Sequence, residues 1–306
     1  MNNDAVEAGV PERVVRRSTR STNPLRVIEP RSSLDRPSSL GGVLERRRAA
    51  EAQMAEVFQG LPEPVDVIPA RVSGELGFIL HAWDWSETSL LLDVLTVRYG
   101  RVFLVARGAR RASSQYRGLL TAFCPLRFSW SGAKEAKMLT RAEWQGTMVP
   151  LTGEALLSGF YVNELVLKLT VREERHPGLF EAYVRVIHDL ALGERDTMGQ
   201  ALRRFEMAIL KATGWAPTLT GEAEAPFYTV RAGEILGIKE KTQLQEGESV
   251  WAAHQVRAWL SGDMTKTTTQ RVARDMLRAL IEYHLDGKHI HSRRILAELN
   301  RLHKVP

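Results

Sequence analysis

The chain has one cysteine, Cys124, in 306 residues. That excludes an intramolecular disulfide and any zinc site built from several thiolates. No apolar run approaches the ~20 residues of a membrane-spanning helix. The densest, Leu90-Leu91-Leu92, meets Asp93 at once. No apolar secretory core precedes a cleavage site, so export is not expected. Three phosphate and acyl-transfer signatures are missing. There is no G-x-x-x-x-G-K-S/T loop, no G-x-G-x-x-G after a strand and no G-x-S-x-G elbow. What remains is ordinary for a folded chain, with 44% hydrophobic and 25% charged residues. At ~150 residues per domain the length suggests about two domains.

A local absence is more informative. Between Asp93 and Glu135 there is no acidic residue, while the same window holds Arg98, Arg101, Arg107, Arg110, Arg111, Arg117, Arg127 and Lys134. The formal net charge is +6. Residues 66–150 hold eleven Lys or Arg against seven acids and supply +4 of it. The flanking segments, 1–65 and 151–306, are each nearly neutral. An acid-free, cation-rich window is an electrostatic footprint for phosphates; a solvated loop is its bland alternative.

Residues 1–65 read as an extension. Pro11, Pro24, Pro30, Pro37, Pro62 and Pro64 recur among Arg, Ser and small residues, a composition that buries too little surface to offset ordering entropy. A short helix is expected over 42–58, and Arg46, Arg47 and Arg48 could add weak phosphate affinity. Residues 66–150 read as β. Leu76, Phe78 and Leu80 alternate along a first strand, and 89–97 is an apolar run suited to a strand buried on both faces. Tyr99-Gly100 makes a turn. Val102, Leu104 and Ala106 then point one way, and Arg101, Phe103, Val105 and Arg107 the other. Ala122, Cys124, Leu126, Phe128 and Trp130 form one face of a fourth strand, with Phe123 and Arg127 opposite and Pro125 marking an edge or bulge. Met138, Ala142, Trp144 and Met148 continue in a fifth. Five strands in about 80 residues suit a closed barrel of the OB type. After Pro150 the period becomes helical. Stripes run through Leu157, Tyr161, Leu165 and Leu169, through 179–190, and through Leu202, Phe205, Ile209 and Ala212. Residues 214–247 look irregular, and helical pattern returns over 250–260, 269–285 and 292–302. The expected fold is α+β, a five-stranded barrel followed by an α-helical domain.

Catalytic constellations are weak. His284, His289 and His291 cluster near the C-terminus without an H-E-x-x-H frame, so no metal is expected. Asp84, Glu87 and Asp93 could be imagined as nuclease carboxylates, but Trp85-Ser86-Glu87-Thr88 reads better as a polar connection between strands. Cys124 reads as a buried structural thiol. The positive signal is the barrel face. Arg101, Phe103, Arg107, Phe123 and Arg127 mix cations with aromatics, and Arg110, Arg111, Tyr116 and Arg117 extend it. Single-stranded nucleic acid uses such surfaces, because phosphates need cations and every base offers a π-face. Phe103 and Phe123 could equally pack under a helix.

A family resemblance is carried by Trp85-Ser86-Glu87-Thr88-Ser89-Leu90, Leu92-Asp93-Val94, Gly100-Arg101-Val102 and the run from Leu104 to Arg110. It continues through the run from Ser158 to Leu165, through Ala201-Leu202-Arg203-Arg204-Phe205-Glu206 and, more weakly, through Ser292-Arg293-Arg294-Ile295-Leu296. In these blocks the chain resembles bacterial RecO, a DNA repair and recombination mediator. The resemblance covers about residues 67–300. It implies an OB domain, a helical domain, no enzymatic turnover, no cofactor and a cytoplasmic, nucleoid-associated monomer. It also implies binding of single- and double-stranded DNA and annealing of complementary strands. With RecR, such a protein helps RecA replace single-strand-binding protein on gapped DNA. Arg98, Arg101, Phe103, Arg107, Arg110, Arg111, Arg117 and Arg127 become the DNA candidates. The acidic, Phe-ending tail of single-strand-binding protein would dock at Leu157, Tyr161, Leu202, Arg203, Arg204 and Phe205, where a cation meets apolar side chains. Two departures stand out: the four-Cys zinc site of many members is missing, and the N-terminal extension has no family role. The competing readings are a protein-interaction adaptor with no direct DNA role and a metal-dependent nuclease.

Overall fold

The computed structural model describes residues 67–302, except 147, 148, 194 and 223. The N-terminal extension, with its expected helix and Arg46, Arg47 and Arg48, lies outside the described residues, as does Met148.

Five strands close a barrel: β1 (Arg71–Trp85), β2 (Ser89–Thr96), β3 (Gly100–Ala106), β4 (Pro125–Ser131) and β5 (Ala136–Trp144), in the order β1-β2-β3-β5-β4. All neighbours are antiparallel except β3 and β5, which close the barrel in parallel through Phe103–Ala136 and Val105–Met138. This is the OB arrangement expected from the sequence. Strict alternation in β3 puts Val102, Leu104 and Ala106 inside and Arg101, Phe103 and Val105 outside. Leu92, Leu126, Phe128 and Trp130 complete an interior with no exposed surface. Each such side chain contributes about 1.5–3 kcal/mol through burial.

The barrel is not free-standing. On β1, Leu76, Phe78 and Leu80 face outward and are covered by helices, while Ile79 points inward. The helical part contains α1 (Gly153–Leu169), α2 (Leu179–Leu192), α3 (Arg195–Ala212), α4 (Ala253–Leu260), α5 (Thr267–His284) and α6 (His291–Leu302). Phe78 meets Phe180 and Tyr183 of α2 at ring separations of 5.8 and 5.3 Å. Asn163 of α1 donates from Nδ2 to the Leu80 carbonyl at 2.8 Å and accepts from the Tyr183 hydroxyl at 2.7 Å. These buried polar groups satisfy one another, which fixes the angle between barrel and helices. Burial drives the Tyr183 phenol well above its ordinary pKa, so it stays a donor. Gly100 takes a φ of +63°, and a Cβ there would stand 2.1 Å from the Glu174 carbonyl oxygen. The turn glycine is therefore also one of the points where the α1–α2 connection touches the barrel.

Several expectations are corrected. The fourth strand begins at Pro125, so Ala122 and Cys124 precede it, and Cys124 is half-buried instead of buried. Trp144 at the end of β5 is 55% exposed. Residues 214–247 are not irregular. They carry most of a sheet of β6 (Leu219–Gly221), β7 (Phe227–Arg231), β8 (Glu234–Ile238) and β9 (Trp251–Ala252), in the order β6-β8-β7-β9. Tyr228 and Ile235 join the main helical core and Ile238 is buried as well, so this region packs through apolar side chains. Gly214 ends α3 in a left-handed turn, with Trp215 N–H donating to the Leu210 carbonyl and Gly214 N–H to that of Lys211. The C-terminal histidines do not converge. His284 stacks on Trp215, the His289 carbonyl accepts from Lys168, and His291 donates its backbone N–H to Glu164. Among the described residues no group of three His, Cys, Asp or Glu could hold a metal. No described helix is long and apolar enough to cross a membrane.

Candidate nucleic-acid interface

The outward face of β1 changes character at a bulge between Ile79 and His81. Up to and including the bulged Leu80, the even-numbered Leu76, Phe78 and Leu80 point out; after it, the odd-numbered His81, Trp83 and Trp85 do so. The first trio lies under helices and the second is open. Trp83 is 38% exposed and Trp85 55%. The His81 ring meets Trp83 edge-on at 4.4 Å, and Trp83 meets Phe103 at 6.1 Å. A groove of about 500 Å³ runs beside this row, lined by Trp85, Leu91, Phe103, Val105, Met138, Arg107 and Arg111. Partial burial of the ring holds the His81 imidazole below its usual pKa, and Asp93 only partly offsets this.

The loop after β3 carries the cations. Buried Ala109 and Tyr116 anchor it to the barrel core, leaving Arg107, Arg110, Arg111 and Arg117 exposed. Tyr116 is thus an anchor and not part of the face. Arg110 pairs with Asp84 at 3.2 Å, an exposed contact of little energetic weight. Among the described residues no carboxylate pairs with Arg107, Arg111 or Arg117.

Other sequence candidates lie elsewhere. Arg101 is turned into the seam between barrel and helices, with its Nε 3.4 Å from Asp93 and Nη1 donating to the Leu167 carbonyl at 2.7 Å. Its side chain is only 11% exposed, so it braces the interface instead of facing solvent. Arg98 is tied to buried Glu75 at 2.7 Å in the β2–β3 turn. Arg127 sits on β4, which β5 separates from β3, and its Nε and Nη1 donate to Gln145 and the Gly74 carbonyl. Phe123, at φ +65°, packs on Phe160 of α1 with ring centroids 5.2 Å apart. It leaves the proposed face because an αL residue before Pro125 breaks the strand alternation. Phe103 stays, with one face under the Arg172 guanidinium, 3.9 Å from the ring centroid. Asp93 is no nuclease ligand: it is buried and held by Arg172 at 2.8 Å.

The residues named for the protein partner divide. Tyr161 and Phe205 are buried, and Leu157 and Leu202 half-buried. Arg203 donates to buried Glu206 at 2.5 Å, and Glu206 accepts from the Tyr161 hydroxyl at 2.7 Å. Arg293 also donates to that hydroxyl, at 2.6 Å. Burial, chiefly, holds the Tyr161 phenol protonated far above neutral pH. Arg204 lies on another side of α3, 60% exposed and 2.9 Å from Asp189 of α2. It rims a groove of about 260 Å³ that Phe205 and Ala201 help to floor. Arg203 and Arg204 therefore serve different surroundings, as a 100° helical step requires.

Comparison with known proteins follows the same division. A family profile described as "Recombination protein O N terminal" matches residues 74–148, and one described as "Recombination protein O C terminal" matches 150–294. The DNA repair protein RecO of Ralstonia nicotianae is 41% identical over 239 residues, spanning 76% of this chain and 86% of that protein. The namesake from Aromatoleum aromaticum is 38% identical over 237 residues, spanning 76% and 98%. That from Cupriavidus metallidurans is 36% identical over 279 residues, spanning 86% and 91%. The two profiles meet at residue 149, between the last barrel strand and α1, and together cover residues 74–294 but for that one, which includes most of the barrel, the small sheet and every helix except most of α6, so the chain belongs to the RecO family.

Proposed function

We propose that this chain is a DNA repair and recombination mediator that binds single- and double-stranded DNA on the open half of the barrel's outer face. It anneals complementary strands without consuming nucleotide. With RecR it helps RecA replace single-strand-binding protein on gapped DNA. The observation that carries this reading is the aromatic row of Trp83, Trp85 and Phe103 beside exposed Arg107 and Arg111, which no carboxylate among the described residues pairs. Stacking platforms flanked by cations bind single strands with little sequence preference, and cations on a mobile-strand surface lower the repulsion between two backbones. Relatives named as DNA repair proteins support the process.

Docking of the acidic tail of single-strand-binding protein belongs to the helices. Arg204 at the α2–α3 groove offers an exposed cation over an apolar floor, and Arg203 offers a half-buried one, paired with Glu206, beside Tyr161. Annealing of complementary oligonucleotides coated with that protein tests the whole reading. The chain should accelerate it, and Arg107→Ala, Arg110→Ala and Arg111→Ala together should abolish the acceleration. No acceleration, with DNA binding near background, would favour the adaptor reading. A titration with the isolated tail peptide should weaken on Arg203→Ala or Arg204→Ala; equal affinity for wild type and both variants would remove the helices as its site.

A further inference from the structure

We propose that Arg172, carried by the connection between α1 and α2, is a DNA-phosphate-binding residue of the barrel face, and that Glu135 holds the phosphate's place in the free protein. This rests on the reading of the outer face as a nucleic-acid interface.

The backbone around Arg172 is fixed from both sides. Thr170 caps α1 by donating its N–H and hydroxyl to the Val166 carbonyl. Arg172 then runs parallel to Arg101 as a single bridge, and Glu173 N–H donates to the Arg101 carbonyl at 2.8 Å. Glu173 pairs with Lys137, a lysine buried in the barrel wall. The helical half thus delivers one side chain to the rim of the aromatic row.

The guanidinium has three neighbours. It lies 3.9 Å over the centroid of Phe103. Its Nη2 donates to Asp93 at 2.8 Å and its Nη1 to Glu135 at 2.7 Å. The two carboxylates differ in kind. Asp93 is 2% exposed and shared with Arg101, so it anchors. Glu135 is 65% exposed, on the turn between β4 and β5, so its pair is weak and exchangeable. One buried carboxylate between two guanidiniums leaves a positive charge, which Glu135 satisfies when no DNA is bound. A phosphate oxygen can accept the same Nη1 hydrogen bond while the guanidinium stays planar on Phe103, a geometry lysine cannot copy. Phosphate capture would then sit one ring away from base stacking, as a single strand needs. Sequence inspection passes over Arg172, because it lies in a connection 65 residues beyond Arg107.

The test measures anisotropy of labelled oligothymidylate bound by the full chain across a salt series. Glu135→Gln touches an exposed side chain and should tighten binding about threefold to fivefold, the weight of one exposed competing pair. Arg172→Ala should weaken binding and make the slope of log affinity against log salt shallower by about 0.7, one phosphate contact. Arg172→Lys should recover the slope but not the full affinity. In the Arg172→Ala background, Glu135→Gln should change nothing. An equal gain from Glu135→Gln in both backgrounds would make Glu135 a general repulsive charge and overturn the proposal. So would unchanged affinity for Glu135→Gln in an otherwise wild-type chain. Arg107→Ala with Arg111→Ala serves as the reference. If those two weaken binding while Glu135→Gln and Arg172→Ala do not, this proposal alone fails; if none of them matters, the face itself is misassigned.

Discussion

Replacement of Trp85 by alanine separates binding from folding. Trp85 is the last residue of β1, paired with Ser89 across the hairpin, and more than half of it faces solvent. Its truncation should therefore move stability by no more than about 0.5–1 kcal/mol. On the DNA side it removes a stacking surface beside Phe103, Arg107 and Arg111. Stacking of a base on an aromatic side chain is worth about 1–3 kcal/mol by alanine substitution. That corresponds to a fall of roughly 5-fold to 150-fold in affinity. The salt slope should stay unchanged, since no phosphate contact is lost, and Trp85→Phe should retain most of the affinity. Anisotropy with labelled oligothymidylate and a thermal melt on the same samples read both quantities. Binding of Trp85→Ala within twofold of wild type, with an unchanged melt, would refute the stacking role.

Gly100→Ala should destabilise the chain by about 2–4 kcal/mol in a urea melt, because the new Cβ would meet the Glu174 carbonyl at a positive φ. Glu173→Gln should cost about 2–3 kcal/mol by leaving Lys137 buried without its counter-charge, and adding Lys137→Met should restore most of it in the same melt. Burial raises the Glu164 pKa, but hydrogen bonds from the Ser292 and His291 N–H groups, the Ser292 hydroxyl and Lys168 outweigh it, so the net shift is downward. Its contribution is therefore present above the ordinary carboxylate range and lost as pH falls through the lowered value. Amide exchange in α6 should show full protection at neutral pH, loss in that acid window, and loss at every pH in Glu164→Gln.

The barrel was legible because its inner face alternates without interruption in β3, and because the acid-free window coincides with it. The two tryptophans of the candidate face were not. Trp83 and Trp85 share an outward face with Phe78 only through the bulge after Ile79, and a period-2 reading carried across that bulge points them inward. Phe123 misled for the opposite reason, since its left-handed backbone turns a side chain of the right parity under α1. Arg101 was placed on the correct outer face, but alternation says nothing about what covers that face. The loop at Arg172 and Glu173 covers one end, and Arg172 lies 71 residues beyond Arg101 in the chain. The small sheet of β6 to β9 was missed because its strands are only two to five residues long and are joined by connections with several Gly, Glu and Thr.

The central claim is that the cations beside the aromatic row neutralise DNA phosphates. The most direct measurement is the salt dependence of single-strand affinity for wild type and for the Arg107→Ala/Arg111→Ala variant. Two lost phosphate contacts should make the slope shallower by about 1.4 and weaken binding at low salt. Identical slopes and affinities for the two proteins would contradict the account.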